Sequence, residues 1–345
     1  MKVGIVTGGG DCPGLNGIIR GAVIAGIQRG WKMVGLLDGW KGLLEKKEME
    51  LTIDMVEDIH RQGGTILGTS RTNLYKTPEL AEKAKKAFKE LKLDALIATG
   101  GEDTLGVARK FTDEGFPMVG CPKTIDNDVN ATDYTFGYNS AIQLVADFLD
   151  NLHVTAKSHH RVMVVEIMGR HAGWMTLEGG LAGGAHIILL PEKPFSLKEV
   201  CDTILERKKQ GKGYHMVAVS EGAMLETAEA EGLVLQEVEK DAFGHVRLGG
   251  IGKQLAELIE KRTGLESRYV VLGHLQRGGN PCAFDRVMTV RMGAKAVELI
   301  EQKKFGYMTG LKGTKIEAVP LSEAVGSLKI VTEDRIKEME IFHGL

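Results

Sequence analysis

Residues 94–128 read DALIATGGEDTLGVARKFTDEGFPMVGCPKTIDND. An apolar run ends in two glycines, a stretch of mixed polarity follows, and a second apolar run ends in a knot of lysine, threonine and aspartates. The pattern predicts a strand over 94–99, a helix from Thr104 and a strand over 117–121. Near-continuous apolar strands separated by a helix are the repeating unit of a parallel sheet covered by helices. One detail sets the functional question. Gly100 and Gly101 would let a phosphate approach the backbone, yet Glu102 and Asp103 stand in its path.

Working outward, the same alternation recurs. KVGIVT (2–7) leads through glycines into 15–29, where Leu15, Ile18, Ile19, Ala22, Val23 and Ile27 repeat at helical spacing. MVGLL (33–37) is a second strand. Thr77-Pro78 opens a helix with proline at its first position, and Leu80, Ala84, Ala87, Phe88 and Leu91 line its apolar face. Further strands are expected at 162–168, 186–190, 214–220 and 269–272. The fold class expected is α/β: two domains with Rossmann-like, largely parallel sheets covered by helices. The acidic stretch ETAEAEGLVLQEVEKD (226–241) reads as a solvated surface before a helix in IGKQLAELIEKRTG (251–264).

Length and composition bound the function. A chain of 345 residues suits two domains. With 43% hydrophobic residues, 26% charged residues and a formal net charge of −2, it has no general attraction for nucleic acid or anionic membrane. Any polyanion must be met by a local basic cluster. No apolar run nears the roughly 18 residues that span a bilayer, and no secretory leader is expected. Cys12, Cys121, Cys201 and Cys282 form no C-x-x-C pair, as in a cytoplasmic protein with reduced thiols.

In a doubly wound sheet, ligands sit outside the carboxyl ends of the strands, and four loops at such ends carry chemistry. TGGGDCPG (7–14) fails the dinucleotide fingerprint, because Pro13 stands where the third glycine belongs. It also fails as a P-loop, because Leu15-Asn16 replace Lys-Ser/Thr. A glycine-lined anion site at a helix start remains. In TGGEDTLG (99–106) a short acid has two readings, a helix cap or a holder of Mg²⁺ beside phosphate oxygens. CPKTIDND (121–128) gathers Lys123, Thr124, Asp126 and Asp128, the mix of cation, base and metal anchor that phosphoryl transfer uses. Arg161, Arg170, Arg268, His274 and Arg277, near glycine-rich strand ends, point to a second phosphate site. His159, His160 and His171 lack partners at metal-ligand spacing.

GGGDCPGLN, GGEDT, PKTIDND, MGRHAGW and GHLQRGG, in that order over essentially the whole chain, resemble the phosphofructokinase family. The resemblance implies phosphorylation of the 1-hydroxyl of fructose 6-phosphate. It implies a phosphoryl-donor domain of 1–137 plus about 276–326, and a fructose 6-phosphate domain of 138–275 plus about 327–345. Asp126 matches the base that deprotonates the hydroxyl; Thr124, Asp128 and Arg71 border the transferred group. Gly9, Gly10, Asp103, Thr104 and Lys123 surround the donor, and Glu102 takes the place of a metal-associated aspartate, so Mg²⁺ is the implied cofactor. Met168, Gly169, Arg170 and Glu221 match sugar contacts. His274 and Arg277 match 6-phosphate ligands of the same subunit, and Arg161 and Arg268 match ligands from a neighbour, implying a homo-oligomer.

The resemblance also answers the acidic loop. ATP-dependent members usually carry glycine at the place of Asp103, where a nucleotide's α-phosphate and ribose need room. Pyrophosphate-dependent members resemble this chain, with aspartate there and lysine at the place of Lys123. A carboxylate at about 4 Å repels a phosphate charge by roughly 4 kcal/mol at an effective dielectric of ~20, whichever donor carries it. Bulk discriminates where charge does not, since a buried side chain is not simply displaced. Pyrophosphate is therefore the expected donor, in a reversible reaction. An ATP-dependent enzyme and a non-catalytic metabolite sensor are the alternatives. At the effector site of allosteric members, Arg20 is kept, but Ile24 replaces an arginine and His186 a glutamate, so little regulation by nucleotide diphosphate or phosphoenolpyruvate is expected.

Overall fold

The computed structural model describes residues 1–226 and 250–344. Apart from Glu226, the acidic stretch 226–241 lies outside the described residues. The chain forms two compact units, Met1–Ser140 with Arg277–Leu328 and Ala141–Gln276 with Lys329–Leu345.

The strands are β1 (Lys2–Thr7), β2 (Lys32–Leu36), β3 (Glu48–Glu50), β4 (Ala95–Gly100), β5 (Met118–Thr124), β6 (Phe136–Gly137), β7 (Val162–Ile167), β8 (Ile187–Leu189), β9 (His215–Ser220), β10 (Ser267–Val271), β11 (Tyr307–Lys312) and β12 (Lys315–Pro320). In the first unit the order is β12-β11-β5-β4-β1-β2-β3, with β6 beside β5. β1 pairs parallel with both β2 and β4, so the winding reverses between β1 and β4. Both glycine loops therefore leave the sheet at its topological switch point, where two neighbouring connections turn away in opposite directions and leave a crevice. The outer pairs β2–β3 and β11–β12 are antiparallel, so the sheet is largely rather than wholly parallel, as expected.

The core of this unit gathers Val6, Leu36, Trp40, Leu96, Leu105, Phe111 and Met118. Helix Leu15–Ile27 lies against helix Ala283–Glu301 at backbone distance. A Cβ on Gly21 would stand 2.2 Å from the Val290 carbonyl oxygen, and one on Gly293 2.4 Å from that of Ile18. Helix Pro78–Glu90 begins as expected, with the Thr77 hydroxyl accepting from Leu80 N–H.

The second unit is a parallel sheet in the order β10-β7-β9-β8. Its strands β7 and β9 are buried along their whole length, and Val162, Val164, Val217 and Val219 pack with Ile204, Leu255 and Ile259. The β8 edge is covered by the chain's own end: Gly344 N–H donates to His186 O at 2.9 Å, and Ile188 N–H to His343 Nε2 at 3.1 Å. No described helix is long and apolar enough to cross a membrane.

Candidate active site

In the first unit, three loops at the ends of β1, β4 and β5 are tied to one another by backbone groups. Gly8 N–H donates to Thr99 O at 2.9 Å, and Gly9 N–H to Ser70 O at 3.2 Å. The Thr69 hydroxyl donates to Gly9 O at 2.6 Å, and the Lys123 ammonium to Gly10 O. Arg71 follows directly on this Thr69-Ser70 clasp. Of the two glycines expected to cradle the donor, Gly9 and Gly10, the first has its amide engaged by Ser70. The Gly10 amide, next in the loop, has no protein acceptor among the described residues.

The helix after β4 runs Glu102–Asp113, two residues earlier than expected, and its N-cap is Gly101 with no side-chain cap. Glu102 and Asp103 sit in the first turn, where the helix dipole favours negative charge. Neither acid is therefore the N-cap residue itself. Thr104 is the wedge: a Cβ on Gly8 would lie 2.6 Å from its Oγ1, and one on Gly100 2.3 Å from its Cβ. The two glycine loops can close only because neither carries a side chain here. Glu102 Oε1 accepts from Gly326 N–H at 3.1 Å. Asp103 is exposed rather than buried as expected. Its Cβ is nonetheless fixed by the backbone of the helix's first turn, so the space it takes is set by the fold, not by packing around its carboxyl.

Strand β5 extends through Thr124, so Lys123 lies on the strand and is only 4% exposed. Burial lowers its pKa, with Arg277 adding to the effect and Cys12 opposing it. Beyond it the chain turns at Asn127, whose φ is 53°. Asn127 Oδ1 accepts from Thr135 N–H at 3.0 Å, and the Thr135 hydroxyl donates to Thr124 O at 2.7 Å. The Thr124 hydroxyl accepts from Asp126 N–H at 3.1 Å and reaches Asp126 Oδ2 at 3.5 Å. Asp128 is pushed up to about 7 by burial first, then by the negative fields of Asp126 and Glu102. Asp128 thus lies within the fields of two other carboxylates. Arg277 belongs to the same unit, and its Nη1 lies 2.7 Å from where a Cβ on Gly10 would stand.

In the second unit the sugar-side candidates gather on the ends of β7 and β9. Gly169 has a φ of 142°, and its carbonyl accepts from the Ser220 hydroxyl at 2.6 Å and Gly222 N–H at 3.1 Å. Glu221 N–H donates to Ile167 O at 2.8 Å. Met168 N–H donates to Oε1 of Gln276, whose amide also donates to Gly273 O at 3.1 Å, linking the β7 end to the His274 turn. The guanidinium of Arg170 keeps a buried Nη2 and that of Arg161 a buried Nε with no protein partner. Arg161 and Arg268 share one acceptor, Glu266 Oε1, at 2.8 and 2.5 Å. The Glu266 carboxyl is held below its usual range, chiefly by its hydrogen bond from Arg161. Gln276, Glu266 and Thr69 escaped the sequence reading, because nothing local marks their long-range contacts.

His186, at the expected effector position, is a packed neutral ring. Its Nδ1 accepts from Met216 N–H at 2.9 Å, and its edge contacts fall on His153 and Tyr214. Burial first, and the nearby Arg207 charge second, hold its pKa down at about 3.

The family model described as phosphofructokinase matches residues 2–300. Across its full length and that of the relative, the chain is 52% identical to a pyrophosphate–fructose 6-phosphate 1-phosphotransferase of Amycolatopsis methanolica. It is 47% identical, over 99% of each chain, to ATP-dependent 6-phosphofructokinase 3 of Streptomyces coelicolor. Among solved structures, the phosphofructokinase of Pichia pastoris in the T-state matches with a TM-score of 0.83 at 29% identity. That match covers 99% of this chain and 37% of the much longer Pichia chain.

Proposed function

The chain belongs to the phosphofructokinase family, and from that premise we propose that it transfers a phosphoryl group reversibly from pyrophosphate to the 1-hydroxyl of fructose 6-phosphate. The products are fructose 1,6-bisphosphate and inorganic phosphate. The observation that carries the choice of donor is the pairing of Asp103, fixed in the first helical turn after Gly100-Gly101, with Lys123, buried on the carbonyl of Gly10. The first takes space from a nucleotide; the second offers a cation to a compact diphosphate.

In this reading the first unit is the donor domain. Asp126 takes the proton of the 1-hydroxyl as its oxygen attacks the terminal phosphorus, and the bond to the bridging oxygen breaks to release phosphate. Lys123, Arg71, Thr124 and the Gly10 amide meet the charge on the moving group. Among the described residues no three carboxylates, histidines or cysteines converge as a metal cage. A divalent cation there would take one or two carboxylates, with donor oxygens and water completing its shell. Glu102, through the oxygen not engaged by Gly326, would hold it as Mg²⁺. Its chemistry there is neutralisation of charge on the transferring phosphoryl.

The second unit is the sugar domain. Met168, Gly169, Arg170 and Glu221 contact fructose 6-phosphate, His274 serves its 6-phosphate, and Arg277, although it belongs to the first unit, is assigned to that phosphate as well. Arg161 and Arg268 complete the site of a neighbouring copy in a homo-oligomer of the cytoplasm. The exposed edge of β10, which carries Arg268, Tyr269 and Val271, is compatible with that use.

The test is ³¹P nuclear magnetic resonance of the purified protein with fructose 6-phosphate, Mg²⁺ and pyrophosphate. A new 1-phosphate ester signal growing as pyrophosphate disappears is the expected result. An unchanged spectrum, with turnover on ATP instead, would overturn the donor assignment.

A further inference from the structure

The hydrogen bonds of the first glycine loop leave a specific vacancy in its pairing. Gly8 and Gly9 have their amides engaged by Thr99 and Ser70, and Gly9 and Gly10 have their carbonyls engaged by Thr69 and Lys123. The Gly10 N–H has no protein acceptor among the described residues, so it is one amide that the loop can present to an anion. That N–H and the Gly9 carbonyl belong to one planar trans peptide and point in opposite directions. Fixing the carbonyl therefore aims the amide.

The peptide needs fixing. It joins two glycines, Gly9 already at a φ of 81°. With no Cβ on either side, rotation of the whole plane meets little steric resistance. The flipped plane would show a phosphate the Gly9 carbonyl oxygen in place of the N–H, turning an attraction into a repulsion. The Thr69 hydroxyl, 2.6 Å from that oxygen, selects one orientation. Thr69 is itself registered by its neighbour: Ser70 O accepts Gly9 N–H, and the Ser70 hydroxyl donates to Asp38 O at 2.6 Å.

We infer that Thr69 is a positioning residue for phosphoryl transfer, its hydroxyl locking the Gly9–Gly10 peptide so that the Gly10 N–H faces the donor phosphate. This rests on the reading of 7–14 as the donor loop. In this role Thr69 acts through the peptide, not on donor or sugar directly.

The experiment compares wild type with Thr69→Val, Thr69→Ala and Thr69→Ser, measuring kcat and KM for each substrate together with Tm. Removing one aimed donor of this kind costs about 10²–10³ in rate, and leaving its peptide free to flip should cost roughly tenfold to a hundredfold. The loss is expected in kcat and in KM for pyrophosphate with both Val and Ala, while KM for fructose 6-phosphate stays within about threefold. Serine, which keeps the hydroxyl, restores the rate. The Ala variant guards against a Val variant that fails to fold, and Tm identifies such a failure. Wild-type kinetics in Thr69→Ala, or a Ser variant as slow as Ala, would overturn the inference. If the wild type turns over with ATP alone, the donor assignment fails, and the same variants measured with ATP still decide the role of Thr69. A wild type inert with both donors would overturn the two together.

Discussion

Thr104 is wedged between the two glycine loops, and this predicts a change of sign in a simple pair of substitutions. The backbone of Gly8 lies outside the left-handed region, so alanine is conformationally allowed there. Its methyl would stand 2.6 Å from Thr104 Oγ1 and 3.1 Å from Cγ2. Thr104 is 4% exposed and has little room to yield. Overpacking of this kind costs about 1–3 kcal/mol, partly offset by the ~0.4–1 kcal/mol gained from a stiffer unfolded chain. Gly8→Ala should therefore destabilise by about 1–2 kcal/mol in the native background. In Thr104→Ala the nearest side-chain atom left is Cβ, at 3.5 Å, an ordinary contact. There the same Gly8→Ala change should be neutral or stabilising, by up to about 1 kcal/mol. Urea unfolding of the four proteins, followed by tryptophan fluorescence with m-values compared, measures the coupling, expected at about 1–3 kcal/mol. Equal effects of Gly8→Ala in both backgrounds would refute the wedge, and with it the account of how the helix bearing Asp103 is seated.

Two further outcomes follow from buried groups. His186 and His215 are held neutral by burial, with pKa values of about 3 and about 4 against 6.5 when unfolded. The unfolded chain binds their protons first as pH falls, so stability is full above pH 6.5 and declines through the window down to about 4 and then 3. At pH 5 each ring removes about 2 kcal/mol relative to neutral pH, and His186→Asn should flatten the pH dependence of urea midpoints; an unaltered slope would contradict it. Asp126→Asn should lower kcat by about 10²–10⁴ while KM for fructose 6-phosphate changes only a few-fold, as loss of a general base requires. A variant with near-native kcat would remove Asp126 from the chemistry.

Much of the layout was legible because the central strands are short, nearly pure apolar runs, and β1 and β4 run straight into glycines. ALIATG and VMVVEI could hardly be anything but buried strands. The antiparallel edges were not legible. EME and KIEAVP are charged, half-exposed pieces whose pairing comes from neighbours, not from their own pattern. The start of the 102–113 helix was misplaced because a glycine N-cap leaves no side-chain signature, and the acids that looked like caps are first-turn residues. At the site, residue types and spacings marked Lys123, Asp126 and Arg170. They did not mark the hydroxyl of Thr69 or the carboxylate of Glu266, whose meaning depends on contacts made across 60 and 105 residues of chain. Nor did they reveal that Asp103 is exposed, so the selectivity proposed for it has to come from where the helix holds its Cβ.

The most direct test is the ratio of kcat/KM for pyrophosphate to that for ATP, with saturating fructose 6-phosphate and Mg²⁺, in wild type and Asp103→Gly. The account predicts a ratio far above one in the wild type and a fall of at least tenfold in the variant, with ATP use gained. Efficient use of ATP by the wild type, or a ratio untouched by Asp103→Gly, would contradict it.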